Sequence, residues 1–188
     1  GWVELVSARA VVRVIVEGHR ATMMDVITNN QTKKISASHV ILSAGAVQSP
    51  KILMHSGIGP EQQLTRFNIP VKVELPGVGE NLHDHPIIPV SAYVKGVLGY
   101  QNAALGFGTV KAGMRYYITK DGPASGNGIE TVSYWNPDQL DDEPTVQCYH
   151  EPIISTNGLS PTGNRSGVTF ALVVLQPRSR GSVRLADA

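Results

Sequence analysis

The chain has 188 residues, which is enough for one domain or for parts of two. Hydrophobic residues make up 41% and charged residues 16%, a balance typical of a globular protein rather than a disordered one. Sixteen basic and 15 acidic residues leave a formal net charge of +1. The chain therefore lacks the strong positive field that would attract nucleic acid or an anionic membrane.

The only cysteine is Cys148, so a disulfide framework and a thiolate metal cluster are both excluded within this chain. Its setting predicts a small buried residue on a strand. The histidines are scattered apart from His83 and His85, and no metal-ligand motif occurs, so a metal site is not expected. The apolar runs are too short to span a bilayer, and no leader pattern is visible, which favours a cytoplasmic location. The first residue is not methionine, which suggests that the sequence starts inside a longer gene.

The first forty residues predict a β-meander. Apolar, β-branched runs at 3–6 and 10–16 are followed by a turn at 17–20, and two further strands at 21–27 and 33–38 flank a polar tip. Residues 39–43 form a short apolar run that ends in Ala44 and Gly45, as expected of a buried parallel strand.

Helices and a loop should come next. The Ser49–Pro50 pair predicts a helix start, and Gly57 predicts its end. A short helix is expected at 60–67 and a strand at 69–73. Residues 76–86 are punctuated by Gly and Pro and predict a loop.

The second half of the sequence predicts a sheet with one helix. A strand is expected at 87–94 and a helix at 105–119, followed by a flexible loop at 121–128. Four strands, expected to be antiparallel, complete the pattern; they are at residues 131–135, 145–150, 167–175 and 182–185. The prediction is thus an α/β segment, residues 1–86, followed by an α+β segment, residues 87–188.

Three segments, in order, resemble the glucose–methanol–choline family of FAD-dependent oxidoreductases. GAVQSPKILMHSGIGP at 45–60 meets every specified position of the family's second signature, PGVGENLHDHP at 76–86 resembles its next block, and QPRSRGSVRL at 176–185 resembles its later S-R-G strand. The resemblance implies the tail of a Rossmann-like FAD-binding domain followed by an antiparallel-sheet substrate-binding domain, both incomplete.

The resemblance also implies that Ser43, Ala44 and Gly45 border FAD. Small side chains at the end of a strand allow the backbone to approach a large flat ligand, and ligands in such sheets lie beyond the carboxyl ends of the strands. The alternative is that Gly45 only permits a tight turn. Val11 falls where the family's valine backbone meets the adenine ring, although a strand valine is usually a core residue and the register could slip to Val12.

Two residues are implied on the substrate side. His85 falls where many family members place a histidine near flavin and substrate, where it could influence the charge around a developing alkoxide; the alternative is a structural histidine of the loop. His83 is expected to be solvated. Choline-oxidising members carry Glu directly after the D-H-P triplet, and this chain has Ile87 there. A neutral primary alcohol other than choline is therefore expected.

Two parts of an FAD enzyme are missing from the sequence. No G-x-G-x-x-G phosphate turn occurs, and the family's catalytic His lies beyond the S-R-G strand, so His150 is not a candidate for the base. We expect a middle portion of an alcohol oxidase or dehydrogenase, inactive alone, whose partners are an alcohol, an oxygen or quinone-type acceptor and the remaining N- and C-terminal portions of the enzyme. The alternatives are an FAD-containing hydroxynitrile lyase of the same family and a non-catalytic folded subunit or remnant.

Overall fold

The structure is a computed structural model that describes residues 5, 7, 9–96, 99–155, 162–163 and 165–187. The described chain forms two compact units. The first lies within Gly1–His83 and Ser179–Ala188, and the second is Asp84–Arg178. Helices and mainly antiparallel sheets occur together, which confirms the mixed fold class.

The first unit opens with the predicted meander, which is confirmed. Strands β1 (Ala10–Glu17), β2 (Arg20–Thr28) and β3 (Gln31–Ser36) pair antiparallel in that order. Asn29 and Asn30 form the β2–β3 turn with φ of 50° and 59°, the left-handed pair that a two-residue hairpin requires. The strand expected at 3–6 lies largely outside the described residues.

The expected buried parallel strand at 39–43 is wrong. These residues have no regular structure, and Ile41 is 87% exposed. A parallel strand needs a hydrogen-bonded neighbour, and no described strand pairs with this segment.

Helix α1 (Gly45–His55) begins earlier than predicted. Pro50 lies inside it, so the Ser49–Pro50 pair does not mark its start. Ser49 instead accepts a hydrogen bond, at 3.0 Å, from the N–H of Ala44, the residue that precedes the helix. The predicted end is confirmed, because Gly57 follows the last turn with φ of +80°.

Two short strands and a helix follow α1. Strand β4 (Ile58–Gly59) pairs in parallel with β5 (Val73–Glu74), and α2 (Glu61–Arg66) connects them, close to its predicted bounds. The strand expected at 69–73 is wrong except for its last residue, because β5 begins only at Val73 and Pro70 has no N–H to donate to a ladder. Ile69 packs instead against the core of the unit, which is built on Met54, Leu64 and Leu185.

The loop at 76–86 is confirmed, but the strand expected at 182–185 is wrong. That segment lies along the loop and makes isolated contacts instead of a ladder. Val183 donates to the carbonyl of Gly79 at 2.7 Å, and Leu82 forms a single antiparallel bridge with Gly181. Leu185 is buried in the core, so the S-R-G segment packs with the first unit.

The second unit contains a four-stranded antiparallel sheet. Its strands are β6 (Ile87–Tyr93), β7 (Thr131–Trp135), β8 (Val146–Glu151) and β9 (Gly167–Val174), in the order β6-β9-β8-β7. Helix α3 (Phe107–Thr119) lies between β6 and β7 in the sequence. The predicted bounds agree with these to within about two residues, and Cys148 is buried on β8 as expected.

Buried polar side chains hold the loops of this unit. Gln101 is fully buried and donates to the carbonyls of Thr162 and Gly163 at 3.1 and 2.7 Å, while its side-chain oxygen accepts from the N–H of Ile154 at 2.7 Å. Both the nitrogen and the oxygen of this buried amide are therefore hydrogen-bonded to the backbone of the loops, as buried polar groups in stable folds generally are.

Candidate functional site

A cleft of about 780 Å³ in the first unit brings together most of the residues predicted to bind the cofactor. Val11, Ser43 and Ala44 line it, and Gly45 follows directly as the first residue of α1. These residues are about thirty positions apart in sequence. The structure therefore places the predicted residues of β1 and of the segment before α1 on one cavity.

The backbone at the start of α1 is open. Gly45 has φ of +84°, and a Cβ built there would meet nothing within 4 Å. The positive φ fits the interpretation that glycine permits the turn. The empty space is what close approach of a ligand requires. The first N–H groups of a helix also have no acceptor within the helix, so this end favours anionic or polar groups.

Val11 and Val12 both line the cleft. The same cleft is therefore involved whichever of the two valines matches the family's adenine-contacting position. The pairing of β1 with β2 shifts between Val11 and Arg13, where a bulge interrupts the alternation of the strand. A bulge opposes two residues to one, which can turn neighbouring side chains toward the same region. Val11 itself is 36% exposed and so is only partly buried by the unit.

Basic groups that no sequence motif indicated also line the cleft. Arg9, Lys51 and His55 are among its lining residues. Burial lowers the pKa of His55, Lys51 lowers it further, and Asp187 opposes both. Lys51 and His55 are four residues apart on α1, a spacing that places them on one face of a predicted helix and could have identified them.

The residues predicted on the substrate side belong to the second unit. The backbone N–H of His85 donates to the carboxylate of Asp84 at 2.8 Å, and its exposed imidazole has no hydrogen-bond partner among the described residues. Ile87 is the first residue of β6, pairs with Val173 and is 44% exposed. His83, in the first unit, is exposed.

His150 is bound within the sheet. Its Nδ1 lies 2.7 Å from the hydroxyl of Thr131, and its Nε2 lies 3.2 Å from the hydroxyl of Ser133. The ring also makes an edge contact with Phe170, with centroids 5.3 Å apart. These contacts hold the imidazole ring among side chains of the neighbouring strands.

Comparison with known proteins identifies the family. Residues 3–87 match the family model described as GMC oxidoreductase. A glucose-methanol-choline family oxidoreductase of Annulohypoxylon moriforme is 33% identical over 94% of this chain. The chain belongs to the glucose–methanol–choline oxidoreductase family. The family match includes the segments that carry Val11, Ser43 to Gly45 and His85.

Other members of the family are similarly related. An oxygen-dependent choline dehydrogenase of Chromohalobacter salexigens is 33% identical over 91% of this chain, and a glucose dehydrogenase [FAD, quinone] of Drosophila melanogaster is 31% identical over 94%. This chain covers 32%, 31% and 29% of these three relatives, so it spans about a third of their length.

Solved structures agree with the fold. A crystal structure of formate oxidase matches with a TM-score of 0.84 and 25% identity, covering 95% of this chain and 37% of that one. A pyridoxine 4-oxidase matches with a TM-score of 0.71 and 22% identity over 95% of this chain and 31% of that one, which shows a shared fold. Across the described residues, no helix has the length and apolar character needed to cross a membrane.

Proposed function

We propose that this chain forms part of an FAD-dependent alcohol oxidoreductase, in which Val11, Ser43, Ala44 and Gly45 border the cofactor. The observation that supports this most directly is the cleft, because it unites residues that the family resemblance assigns to FAD from two distant segments. The parent enzyme would act on a primary alcohol as an oxidase or dehydrogenase.

The residues of the cleft fit such a cofactor. The volume of about 780 Å³ lies within the range of small-molecule sites. Val11 and Val12 offer an apolar wall, and Ala44 and Gly45 leave the backbone accessible at the start of α1. Arg9 and Lys51 supply positive charge for an anionic ligand. When bound, the flavin would accept the hydride of the alcohol.

We assign Ile87 and His85 to the substrate side. Ile87 presents an aliphatic side chain where choline-oxidising members carry a carboxylate, so nothing at this position would offset a quaternary ammonium. The free imidazole of His85 is available to stabilise negative charge on a developing alkoxide. A neutral alcohol other than choline is the substrate class that these two residues favour.

The cofactor proposal is tested with a pair of substitutions in the flavin-containing parent enzyme. Ala44→Phe fills the cleft, whereas Val47→Phe places the same ring on α1 at a position that is 53% exposed and does not line the cleft. We expect Ala44→Phe to lower the flavin bound per chain at least about tenfold, the loss expected when a ligand group is displaced by bulk. Equal flavin absorbance in the two variants would show that the cleft is not the FAD site.

The substrate proposal needs a separate measurement. Ile87→Glu should raise kcat/KM for choline relative to that for an uncharged primary alcohol, while Ile88→Glu, at the next and 62% exposed position, should not. A parent enzyme that already prefers choline would refute the proposal. Release of cyanide from a hydroxynitrile without acceptor reduction would instead identify the lyase. Turnover by the isolated 188-residue chain, followed with dichlorophenolindophenol or oxygen, would contradict the expectation that it is inactive alone.

A further inference from the structure

The loop between α3 and β7 contains an asparagine followed by a glycine. Asn127 is exposed, and its side-chain oxygen accepts a hydrogen bond, at 3.1 Å, from the N–H of Ile129. Gly128 has φ of +85°, and a Cβ built on it would meet nothing within 4 Å. The backbone nitrogen of Gly128 therefore follows the Asn127 amide without a side chain that would hinder its approach.

The hydrogen bond from Ile129 favours a reaction at this amide. A backbone N–H that points at a carbonyl oxygen stabilises the negative charge that develops on that oxygen when a nucleophile attacks the carbon. Asn127 already has such a donor in the folded chain. The nucleophile is the neighbouring nitrogen of Gly128, because its attack on the side-chain carbon closes a stable succinimide ring.

We propose that Asn127 is a site of spontaneous deamidation. The Gly128 nitrogen forms a bond to Cγ of Asn127, the Cγ–Nδ2 bond breaks, and ammonia leaves with the proton that Gly128 gave up. Water then opens the succinimide at either carbonyl, which gives aspartate or isoaspartate. The residues assigned above to FAD and alcohol take no part in this reaction, so it stands or falls independently of the proposed function.

A second pair in the same loop, Asp121–Gly122, could form the same ring but is protected. Arg115 donates to both carboxylate oxygens of Asp121, at 2.9 and 3.1 Å, and Thr119 donates to one of them. These hydrogen bonds lower the pKa of Asp121 to about 2, and an ionised carboxylate is a poor electrophile. The Arg115 side chain also occupies the space beside Gly122, where a Cβ would lie 2.9 Å from Nε.

Conversion of Asn127 would alter the chain just before an edge strand. Aspartate adds a negative charge, and isoaspartate also adds a methylene group to the main chain. Strand β7 begins shortly afterwards at Thr131 and is an outer strand of its sheet. Isoaspartate should therefore weaken the pairing of β7 with β8 at this end.

The experiment follows the 188-residue chain during incubation in neutral and mildly alkaline buffer, with peptide mass spectrometry that assigns conversion to each site. We expect Asn127 to convert at least about tenfold faster than Asp121 isomerises, because the Asp121 carboxylate is held ionised. The rate at Asn127 should rise with pH, since attack requires the deprotonated nitrogen of Gly128.

The chain provides an internal control in Asn136. This residue is followed by Pro137, which has no N–H to lose and cannot close the same ring, so Asn136 should stay intact. The other Asn–Gly pair, Asn157–Gly158, lies outside the described residues, and its conversion is scored separately. Conversion of Asn127 no faster than that of Asn136 or Asp121 would overturn the proposal.

Three substitutions test the roles of the neighbouring groups. Asn127→Gln keeps an amide but would require a larger ring, so ammonia release at this position should stop. Ile129→Pro removes the N–H donor and should slow conversion of Asn127 several-fold, and an unchanged rate would overturn the role given to that N–H. Arg115→Gln should speed isomerisation of Asp121 and leave Asn127 unaffected, whereas a changed rate at Asn127 alone would contradict the protection described.

Discussion

Gly79 is expected to hold the C-terminal segment against the loop of residues 76–86. Its φ is +81°, and a Cβ built on it would overlap the carbonyl oxygen of Val183. Its own carbonyl accepts the N–H of Val183 at 2.7 Å. Replacing Gly79 with alanine therefore strains the backbone and displaces the segment that carries Leu185 into the core.

The magnitude follows from these contacts. A left-handed conformation costs a residue with a Cβ about 1–2 kcal/mol. Displacing Val183 weakens a hydrogen bond worth about 0.5–1.5 kcal/mol. Alanine restricts the unfolded chain and returns about 0.4–1 kcal/mol. Gly79→Ala should thus destabilise the first unit by about 2 kcal/mol, which corresponds to a fall in Tm of roughly 4–8 °C for a chain of this size.

Gly77→Ala is the matched control. It lies two residues away in the same loop, it does not have positive φ, and a Cβ there would meet nothing within 4 Å. Urea and thermal unfolding followed by circular dichroism should show Gly79→Ala destabilised and Gly77→Ala within about 0.5 kcal/mol of the native chain. Hydrogen exchange should report faster exchange of the Val183 amide in Gly79→Ala alone. If the two variants unfold alike, residues 179–187 are not held in the way described.

The remaining predictions concern one buried and one exposed side chain. Met54 is fully buried, so Met54→Ala should lower the free energy of unfolding by about 2–5 kcal/mol in urea titration; a loss below about 1 kcal/mol would show that the cluster is not a core. The hydrogen bond from Arg115, and after it the one from Thr119, lowers the pKa of Asp121 from 3.8 to about 2. The stability that the Arg115–Asp121 pair contributes is therefore fully present above pH 3.8 and is lost as the pH falls toward 2. Arg115→Gln should raise the pKa of Asp121 in an NMR titration, and an unchanged pKa would refute the pairing.

Local chemistry was sufficient to predict much of the fold. Alternating β-branched residues and the Asn29–Asn30 tip specify the meander, since both signals lie within one hairpin. The strands of the second unit carry the same kind of local signal. Gly57 marks the end of α1 because few other residues tolerate its positive φ.

The errors arose where distant contacts decide the structure. Residues 39–43 have the composition of a buried strand, yet pairing requires a neighbour that their own sequence does not specify. Ser49 looked like a helix cap, but its hydroxyl reaches back to Ala44 and the helix extends past it. Residues 182–185 alternate like a strand, but Leu185 is drawn into the core of the first unit.

In the candidate site, the signature that begins at Gly45 was enough to point to Ser43, Ala44 and Gly45. The presence of Val11 in the same cleft could not be predicted, because it depends on how the meander packs against α1. Arg9, Lys51 and His55 were missed since no motif includes them.

The bridge between Leu82 and Gly181 makes the second unit an insertion. Its two hydrogen bonds, of 2.9 and 2.7 Å, hold together the points where the chain leaves the first unit and returns to it. Because the first unit is closed on itself at this point, the cost of looping out the intervening residues grows only slowly with their number. The length and composition of the inserted sheet can therefore change while the cleft beside α1 is preserved.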